Sequence, residues 1–236
     1  MGFTLDKVVP WGRSHDEYLA MFALSEADLS RAILGCGDGP AGFNAELTRC
    51  GGRIVSVDPV YAFNAQEINT RLSETREIVM VQLRKHQKDY VWNTITTLEE
   101  LEHVRMSAMA AFLADYENGK NEGRYINGEL PTLPFENGTF DLALSSHFLF
   151  LYSAHLSAGF HLQALLEMLR VAREVRIFPL LTLDGAPSPH LDFVTASLAD
   201  QGFKIEIKPV LYEFQRGGNQ MLVVQSGCDS DLPFSN

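Results

Sequence analysis

Cysteine is scarce in this sequence, and long apolar runs are missing. Cys36, Cys50 and Cys228 show no metal-ligand spacing and cannot all pair with one another. The opening residues, MGFTLDKVVPWGR, lack the charged and then apolar run of a signal peptide, and no apolar stretch reaches the roughly 20 residues that span a membrane. There is no low-complexity tract and no internal repeat. We therefore expect a reduced, cytoplasmic protein that does not enter a membrane.

Basic residues are few for the number of acidic ones. Lys and Arg number 19 against 30 Asp and Glu, which gives a formal net charge of -11. Such a surface repels polyphosphate backbones and disfavours nucleic acid as a partner. The basic cluster at residues 84–88 falls in a helical pattern, so we interpret it as a solvated helix face. His155 and His161 lack acidic neighbours at metal-ligand spacing, and we predict no metal site.

The sequence does contain the alternation of an α/β domain. The stretches RAILG, GPAGFNAELTRCGG and RIVSVD predict a strand, a glycine turn with a helix, and a second strand within about 30 residues. The stretches FDLALSS, FHLQALLEMLRVA and EVRIFPLL continue the alternation and favour a parallel sheet. Two strands around RGGN predict a terminal antiparallel hairpin. The length suits one domain over residues 1–236, with residues 226–236 as a loose tail.

Residues 63–121 interrupt this alternation. One helical pattern runs from about Ala65 to Tyr90, and a second begins at Thr97. The separation between Asp58 and the next predicted strand, near RYING, is long for a simple crossover. We interpret residues 63–121 as a helical insertion after the second strand that could cover a ligand cleft.

The stretch AILGCGDGPAGFNAELTRCGGRIVSVDP holds two overlapping glycine patterns. Gly35, Gly37 and Gly39 follow G-x-G-x-G, while Gly37, Gly39 and Gly42 follow the G-x-G-x-x-G of dinucleotide-binding domains. Glycines let the backbone approach a ligand, and a helix N-terminus attracts an anion. Asp58 ends the second strand and can accept hydrogen bonds from ribose hydroxyls. Because NAD and S-adenosylmethionine both carry an adenosine ribose, these residues alone do not decide the ligand.

Asp38 lies inside the glycine loop and bears on this choice. A pyrophosphate at roughly 6 Å from its carboxylate would be repelled by about 2 to 3 kcal/mol at an effective dielectric near 20. S-adenosylmethionine, with a sulfonium and an ammonium against one carboxylate, would tolerate or favour Asp38. The alternative is that Asp38 only caps the following helix, with its side chain turned to solvent.

Several stretches, in the expected order, resemble the class I S-adenosylmethionine-dependent methyltransferases. ILGCGDGPAG resembles their first glycine motif, VSVDP their acidic strand end, and INGELPTLPFENGTFDLALSS the segment from the adenine-contacting acid into the fourth strand. The resemblance covers most of residues 31–225 outside the helical insertion. It implies a Rossmann-like α/β fold with a seven-stranded, mostly parallel sheet and a terminal antiparallel hairpin, and it implies S-adenosylmethionine as cofactor.

The resemblance also implies a set of cofactor contacts. The loop glycines would lie along the methionine and the ribose, Asp58 would hold the ribose hydroxyls, and Glu129 with Leu130 would flank the adenine. One departure is Ile33, which stands where the family usually has an acidic residue two positions before the first glycine. The expected contacts are Arg13, Gly35, Cys36, Gly37, Asp38, Gly39, Asp58, Pro59, Glu129, Leu130, Ser145 and Ser146.

Methyl transfer requires alignment and exclusion of water more than a fixed catalytic motif. His147, just after the fourth strand, is the candidate base, since an unperturbed histidine pKa of about 6.5 suits proton transfer; a structural role is the alternative. Arg13 could pair with the methionine carboxylate, with an acidic substrate, or only with a surface carboxylate. Cys36 could face the sulfur or simply fill the loop.

The tetrapeptide typical of methyltransferases that act on nucleic acid bases is missing after the fourth strand, where SSHF stands. Together with the acidic charge, this favours a small-molecule acceptor. We therefore predict S-adenosylmethionine-dependent methyl transfer to an unidentified small molecule. Two alternatives stay open, a non-catalytic S-adenosylmethionine-binding protein and an NAD(P)-dependent oxidoreductase.

Overall fold

The computed structural model describes residues 11–226, and its centre is one seven-stranded sheet. The strands are β1 (Ala32–Cys36), β2 (Arg53–Val57), β3 (Tyr125–Ile126), β4 (Phe140–Ser146), β5 (Ala172–Phe178), β6 (Lys204–Pro209) and β7 (Gln220–Gln225). Their order across the sheet is β3-β2-β1-β4-β5-β7-β6. β7 runs antiparallel to β5 and β6, and the other pairs are parallel. This confirms the predicted Rossmann-like fold and its terminal antiparallel hairpin. Most of the predicted tail, residues 227–236, lies outside the described residues.

Five of the seven α-helices within residues 11–226 begin after a residue whose side chain caps them. The seven helices are α1 (His15–Met21), α2 (Glu26–Leu29), α3 (Phe43–Arg49), α4 (Ala65–Lys85), α5 (Leu98–Asn121), α6 (Ala158–Val171) and α7 (Leu191–Asp200). Ser14 caps α1 by accepting a hydrogen bond from the backbone of Glu17, and Thr97 caps α5 by accepting one from Glu100. None of these helices combines the length and apolarity that a bilayer crossing requires.

The central strands divide the core into two layers. Because successive side chains of a strand point to opposite faces, Ile33 and Leu34 of β1 face different helices. Leu34 belongs to a buried cluster with α6 and α7, including Leu165 and Leu198. Ile33 belongs to a second cluster with α1 and α3, including Phe43. The sheet is therefore covered on both faces, and its strand ends are the exposed edge where loops can form a site.

The predicted helical insertion contains two long helices with different positions. α5 packs on α3 and leads directly into β3, so it is the crossover helix between β2 and β3. α4 is an additional helix that packs on α5 through two buried clusters. α4 ends at Lys85 rather than near Tyr90, because a 3-10 turn at Gln87–Asp89 replaces its last predicted turn.

The connection of the terminal hairpin is longer than the sequence predicted. β6 ends at Pro209, and residues 210–219 form a loop instead of a tight turn over RGGN. This loop is held by the segment between α4 and α5, since the Val91 amide donates to the Phe214 carbonyl at 2.7 Å and the ring of Tyr90 stacks on that of Phe214. The loop thus connects the segment that follows α4 to the edge of the sheet formed by β6 and β7.

Candidate functional site

A cavity of about 780 Å³ opens at the carboxyl ends of β1, β2 and β4. This is the edge where open α/β sheets bind ligands, and the volume lies within the roughly 300 to 1,000 Å³ of small-molecule sites. The glycine loop, the ends of β2 and β4, and one face of α4 contribute walls. The apolar lining residues include Trp11, Val60, Phe63, Ile68, Val79, Leu130, Phe148, Leu151, Phe160 and Leu183.

The glycine loop approaches the cavity with backbone that only glycine adopts easily. Gly37 has φ 63° and Gly39 has φ 53°, both in the left-handed region. Their amides already have acceptors within the protein: the Gly37 amide donates to the Val57 carbonyl and the Gly39 amide to Asp58 Oδ2, each at 2.9 Å. The Gly42 amide donates to the Arg13 carbonyl at 2.9 Å. A phosphate group would therefore find none of these three glycine amides free.

Asp38 turns into the protein beneath this loop. Its carboxylate accepts hydrogen bonds from the Tyr18 hydroxyl and the Ser56 hydroxyl, both at 2.5 Å. A Cβ at Gly35 would lie 2.4 Å from Asp38 Oδ2, so the carboxylate fills the space that a side chain at position 35 would need. Burial raises the pKa of Asp38. The capping alternative is wrong, because Asp38 is buried and no side chain caps α3, whose N-cap is Gly42.

Asp58 stands at the end of β2 with its carboxylate fixed in direction. Oδ2 accepts from the Gly39 amide at 2.9 Å and Oδ1 from the Val60 amide at 2.8 Å. Each oxygen keeps a further lone pair for a ligand hydroxyl. Burial raises the pKa of Asp58 to about 6. Tyr61 supports the same corner, since its hydroxyl donates to the Gly39 carbonyl at 2.6 Å.

The structure brings most of the predicted site residues together. Those on the cavity wall are Arg13, Gly37, Asp38, Gly39, Asp58, Pro59, Glu129, Leu130, Ser146 and His147.

Three predicted contacts, Gly35, Cys36 and Ser145, are not on that wall. Gly35 lies inside β1 above Asp38, and Cys36 is fully buried, which raises the pKa of its thiol. Ser145 is also fully buried, and its side chain lies on the opposite face of β4 from Ser146, since side chains alternate along a strand. These three residues therefore support the loop and the strand, and their contact with a ligand stays a prediction.

His147 follows the end of β4, where its backbone and its ring both have defined contacts. Its φ of 53° is unusual for a residue other than glycine. Its amide donates to the Phe178 carbonyl at 2.7 Å, and its Nδ1 lies 2.9 Å from the Ser146 hydroxyl. Burial, together with the charges of Arg13 and Arg105, lowers the pKa of His147 well below its usual value. The ring is therefore neutral at pH 7, and His147 lines the cavity.

A buried charge network beside the cavity was missed by sequence reasoning. Arg105 of α5 is fully buried and pairs with Glu17 of α1, which also accepts a hydrogen bond from the Tyr212 hydroxyl at 2.8 Å. The available signal was position: Arg105 falls on the same helical face as the apolar residues Leu101 and Ala108. A charged residue within an apolar stripe requires a buried partner.

Arg13 lies next to this network without a matching partner. Its Nη1 donates to the Trp11 carbonyl, and its buried Nε has no hydrogen-bond acceptor among residues 11–226. In the same part of the chain, no carboxylate lies within 4.0 Å of its guanidinium. Burial and the neighbouring Arg105 lower the pKa of Arg13 to about 10, so it is still charged at neutral pH.

The additional helix α4 also contributes residues that the sequence did not predict. Its Ile68 and Val79 are buried like core positions, but they also line the cavity together with Glu67 and Arg71. Periodicity alone cannot distinguish an apolar face that packs on protein from one that packs on a ligand.

Comparison with known proteins gives one relative by sequence. The uncharacterized protein MJ0045 of Methanocaldococcus jannaschii is 33% identical over 222 residues, which cover 94% of this chain and 97% of that protein. The chain belongs to the family of MJ0045. No family model matches it. Because MJ0045 is uncharacterized, membership of this family leaves the function to be inferred from the site.

Solved structures with a similar fold include two methyltransferases. Magnesium protoporphyrin IX methyltransferase (ChlM) from Synechocystis PCC 6803, with bound SAM, is 11% identical with a TM-score of 0.48, and the match covers 90% of this chain and 77% of that one. A SAM-dependent methyltransferase from Aquifex aeolicus is 16% identical with a TM-score of 0.42, covering 88% and 90%. At these identities the similarity concerns the fold.

Proposed function

We propose that this protein transfers a methyl group from S-adenosylmethionine to a small-molecule acceptor. The observation that carries the proposal is the chemistry of the glycine loop. It places the Asp58 carboxylate at the cavity, with the buried Asp38 carboxylate behind the loop, and the amides of Gly37, Gly39 and Gly42 are already bonded within the protein. A dinucleotide diphosphate would meet negative charge here without free glycine donors, whereas a sulfonium and an ammonium are favoured by the same charge.

The residues at the cavity fit the rest of this cofactor. Asp58 would accept hydrogen bonds from the ribose hydroxyls, and Glu129 with Leu130 would flank the adenine at the neighbouring wall. The left-handed backbone at Gly37 and Gly39 allows a close approach. The bound cofactor would supply an electrophilic methyl group on sulfur. The protein then has to hold the acceptor in line with that methyl and keep water out.

His147 is the proposed proton acceptor in this reaction. It lies on the cavity wall in its neutral form, with Nδ1 within hydrogen-bond distance of the Ser146 hydroxyl. In the tautomer in which Nδ1–H donates to that hydroxyl, Nε2 would be the atom that receives a proton from an acceptor hydroxyl. Its lowered pKa makes it a weak base, which suits an acidic hydroxyl such as a phenol. An acceptor without a proton to lose would require only the positioning role of His147.

The proposal is tested by calorimetric titration of the purified protein with S-adenosylmethionine, S-adenosylhomocysteine and NADH in parallel. We expect micromolar binding of the first two and none of the third. Asp58→Ala should weaken S-adenosylhomocysteine binding by about 1 to 3 kcal/mol, since a charged hydrogen-bond acceptor is removed. The matched control Asp192→Ala, on exposed α7, should bind as the wild type does.

Other outcomes would contradict parts of the proposal. Binding of NADH alone would favour an oxidoreductase and overturn the assignment of the loop. Methyl turnover is measured across a broad metabolite screen as the formation of S-adenosylhomocysteine from S-adenosylmethionine. If the protein binds S-adenosylhomocysteine but shows no turnover in this screen, a non-catalytic binding protein is favoured. Turnover lost in His147→Ala with binding intact would support the assignment of His147.

A further inference from the structure

A small recess of about 80 Å³ adjoins the main cavity and shares Arg13 and His147 with it. The proposed ribose and adenine contacts, Asp58, Glu129 and Leu130, do not line this recess. Its remaining walls come from α4, α5, the segment around Tyr90 and the hairpin loop. They are largely apolar and include Val79, Leu83, Leu101, Leu151, Leu183 and Phe214.

Among the charged groups of residues 11–226, one cation at this junction has no counter-ion of its own. Arg105 reaches the recess, but its charge is balanced by Glu17. His147 is neutral, and the nearby Tyr18, Tyr90 and Tyr212 all have raised pKa values, chiefly through burial, so they are neutral as well.

Arg13 therefore carries the net positive charge, with a buried Nε that has no acceptor among the described residues. A half-buried guanidinium with no counter-ion among the described residues is costly, and an anionic ligand would remove that cost.

Resting on the proposed function, we infer that the methyl acceptor is an apolar molecule bearing one carboxylate, and that Arg13 binds this carboxylate. The planar guanidinium matches a carboxylate with two parallel hydrogen bonds. A single uncompensated positive charge balances a carboxylate but would leave the second charge of a phosphate unpaired. The apolar walls of the recess and of the adjoining α4 face accommodate the body of the molecule, and His147 lies beside it.

The test uses matched pairs of acids and amides as probes. Phenylacetate, indole-3-acetate and octanoate, each with its primary amide, are titrated into the protein saturated with S-adenosylhomocysteine. In the wild type we expect the acids to bind at least about tenfold more tightly than the amides. Arg13→Gln and Arg13→Met, the second of which keeps an apolar stem if the first fails to fold, should abolish that preference. The control Arg76→Gln removes an exposed arginine of α4 that pairs with Glu102 and does not line the cavity, and it should keep the preference.

Equal binding of acids and amides by the wild type, or an acid preference that survives in both Arg13 variants, would overturn the inference. The cofactor's own carboxylate is the other source of an anion. If the Arg13 variants weaken S-adenosylhomocysteine but not 5′-methylthioadenosine, which lacks the amino acid, Arg13 binds the cofactor and the acceptor assignment is wrong. Failure of the wild type to bind S-adenosylhomocysteine would contradict the proposed function instead, and titration of the probes into the ligand-free protein would still decide the role of Arg13.

Discussion

Asp58 allows a prediction at the scale of one residue, because its pKa of about 6 lies within the working range of a binding assay. In the proposed complex the ionised carboxylate would accept hydrogen bonds from the ribose hydroxyls, whereas the protonated form has lost acceptor capacity. Affinity for S-adenosylhomocysteine should therefore be constant above pH 7 and fall below pH 6, by up to about tenfold per pH unit. Calorimetry between pH 5 and 8 measures this dependence.

Asp58→Asn is the control for that titration. It should bind more weakly than the wild type at pH 7.5 and show little change of affinity down to pH 5, since no group at position 58 titrates. A wild-type affinity that does not vary with pH would show that Asp58 is not in contact with the ligand.

The same scale shows what the sequence could predict of the site. Strand-end position was enough to place Asp58 and Ser146 at the cavity, because the carboxyl ends of parallel strands meet at one edge. The position of Asp38 in the glycine loop could not predict that its side chain is buried beneath the loop. Its partners, Tyr18 and Ser56, come from α1 and β2, and only the tertiary fold brings them beneath the loop. The same holds for Ser145. The sequence predicted that side chains alternate along β4, but it could not predict that Ser146 rather than Ser145 would line the cavity.

At the scale of the elements, a buried salt bridge between Glu17 and Arg105 connects α1 to α5. Burial opposes ionisation of Glu17, but Arg105 outweighs it and lowers the pKa of Glu17 to about 2. Removing one partner leaves a buried charge alone, so Glu17→Gln or Arg105→Met should lower the free energy of unfolding by about 3 to 5 kcal/mol. Urea denaturation at pH 7 measures this. The double variant Glu17→Met with Arg105→Met should recover a large part of the loss.

The pH dependence of that stability has a definite sign. Because the folded-state pKa of Glu17 lies below the unfolded value of 4.5, its contribution is present above pH 4.5 and is lost as the pH falls towards 2. Denaturation curves of Glu17→Gln should lack this part of the acid loss. If either single variant is as stable as the wild type, the pair does not connect the two helices in solution.

The sequence suggested that the insertion containing α4 could cover a ligand cleft, and residues of α4 line the cavity. We predict that α4 covers the bound ligand, because Ile68, Arg71 and Val79 lie on the cavity wall. Hydrogen exchange of residues 65–85 should therefore slow when S-adenosylhomocysteine and an acceptor are bound. α7 contributes no residue to the cavity, so its exchange is the internal control. Equal protection of α4 with and without ligands would show that it is only part of the scaffold.

Element boundaries were predictable where a local cap or turn fixed them. Thr97 placed the start of α5 correctly, and Ser14 caps α1 by the same type of contact. The length of the hairpin loop was not predictable, because it depends on contacts between Phe214 and residues far away in sequence, Tyr90 and Val91. For the same reason, the distinction between α5 as crossover and α4 as additional helix required the packing of α5 on α3.

At the scale of the whole molecule, the parallel sheet and its terminal antiparallel hairpin followed from local patterns and general rules, whereas the count of seven strands came from the family resemblance. Alternating strands and helices require a parallel sheet with right-handed connections, and a final hairpin can add only antiparallel strands. The identity of the ligand did not follow in this way, because it depends on a few side-chain directions at one edge. Arg13 is the clearest case: the sequence left three partners open, and its lack of a carboxylate among the described residues is a property of the folded molecule.

Net charge gives a last prediction about the whole molecule. With a formal charge of -11, the protein should not bind single-stranded RNA or duplex DNA at 150 mM salt, because the average surface repels phosphate backbones. Arg84, Lys85 and Lys88 are all exposed at the end of α4 and the turn that follows. Fluorescence anisotropy with labelled oligonucleotides should show no binding for the wild type or for the triple variant Arg84→Glu, Lys85→Glu and Lys88→Glu. Binding by the wild type that weakens with salt and vanishes in the triple variant would show that this helix end is a nucleic-acid contact, and the acceptor would then have to be sought among nucleic acids.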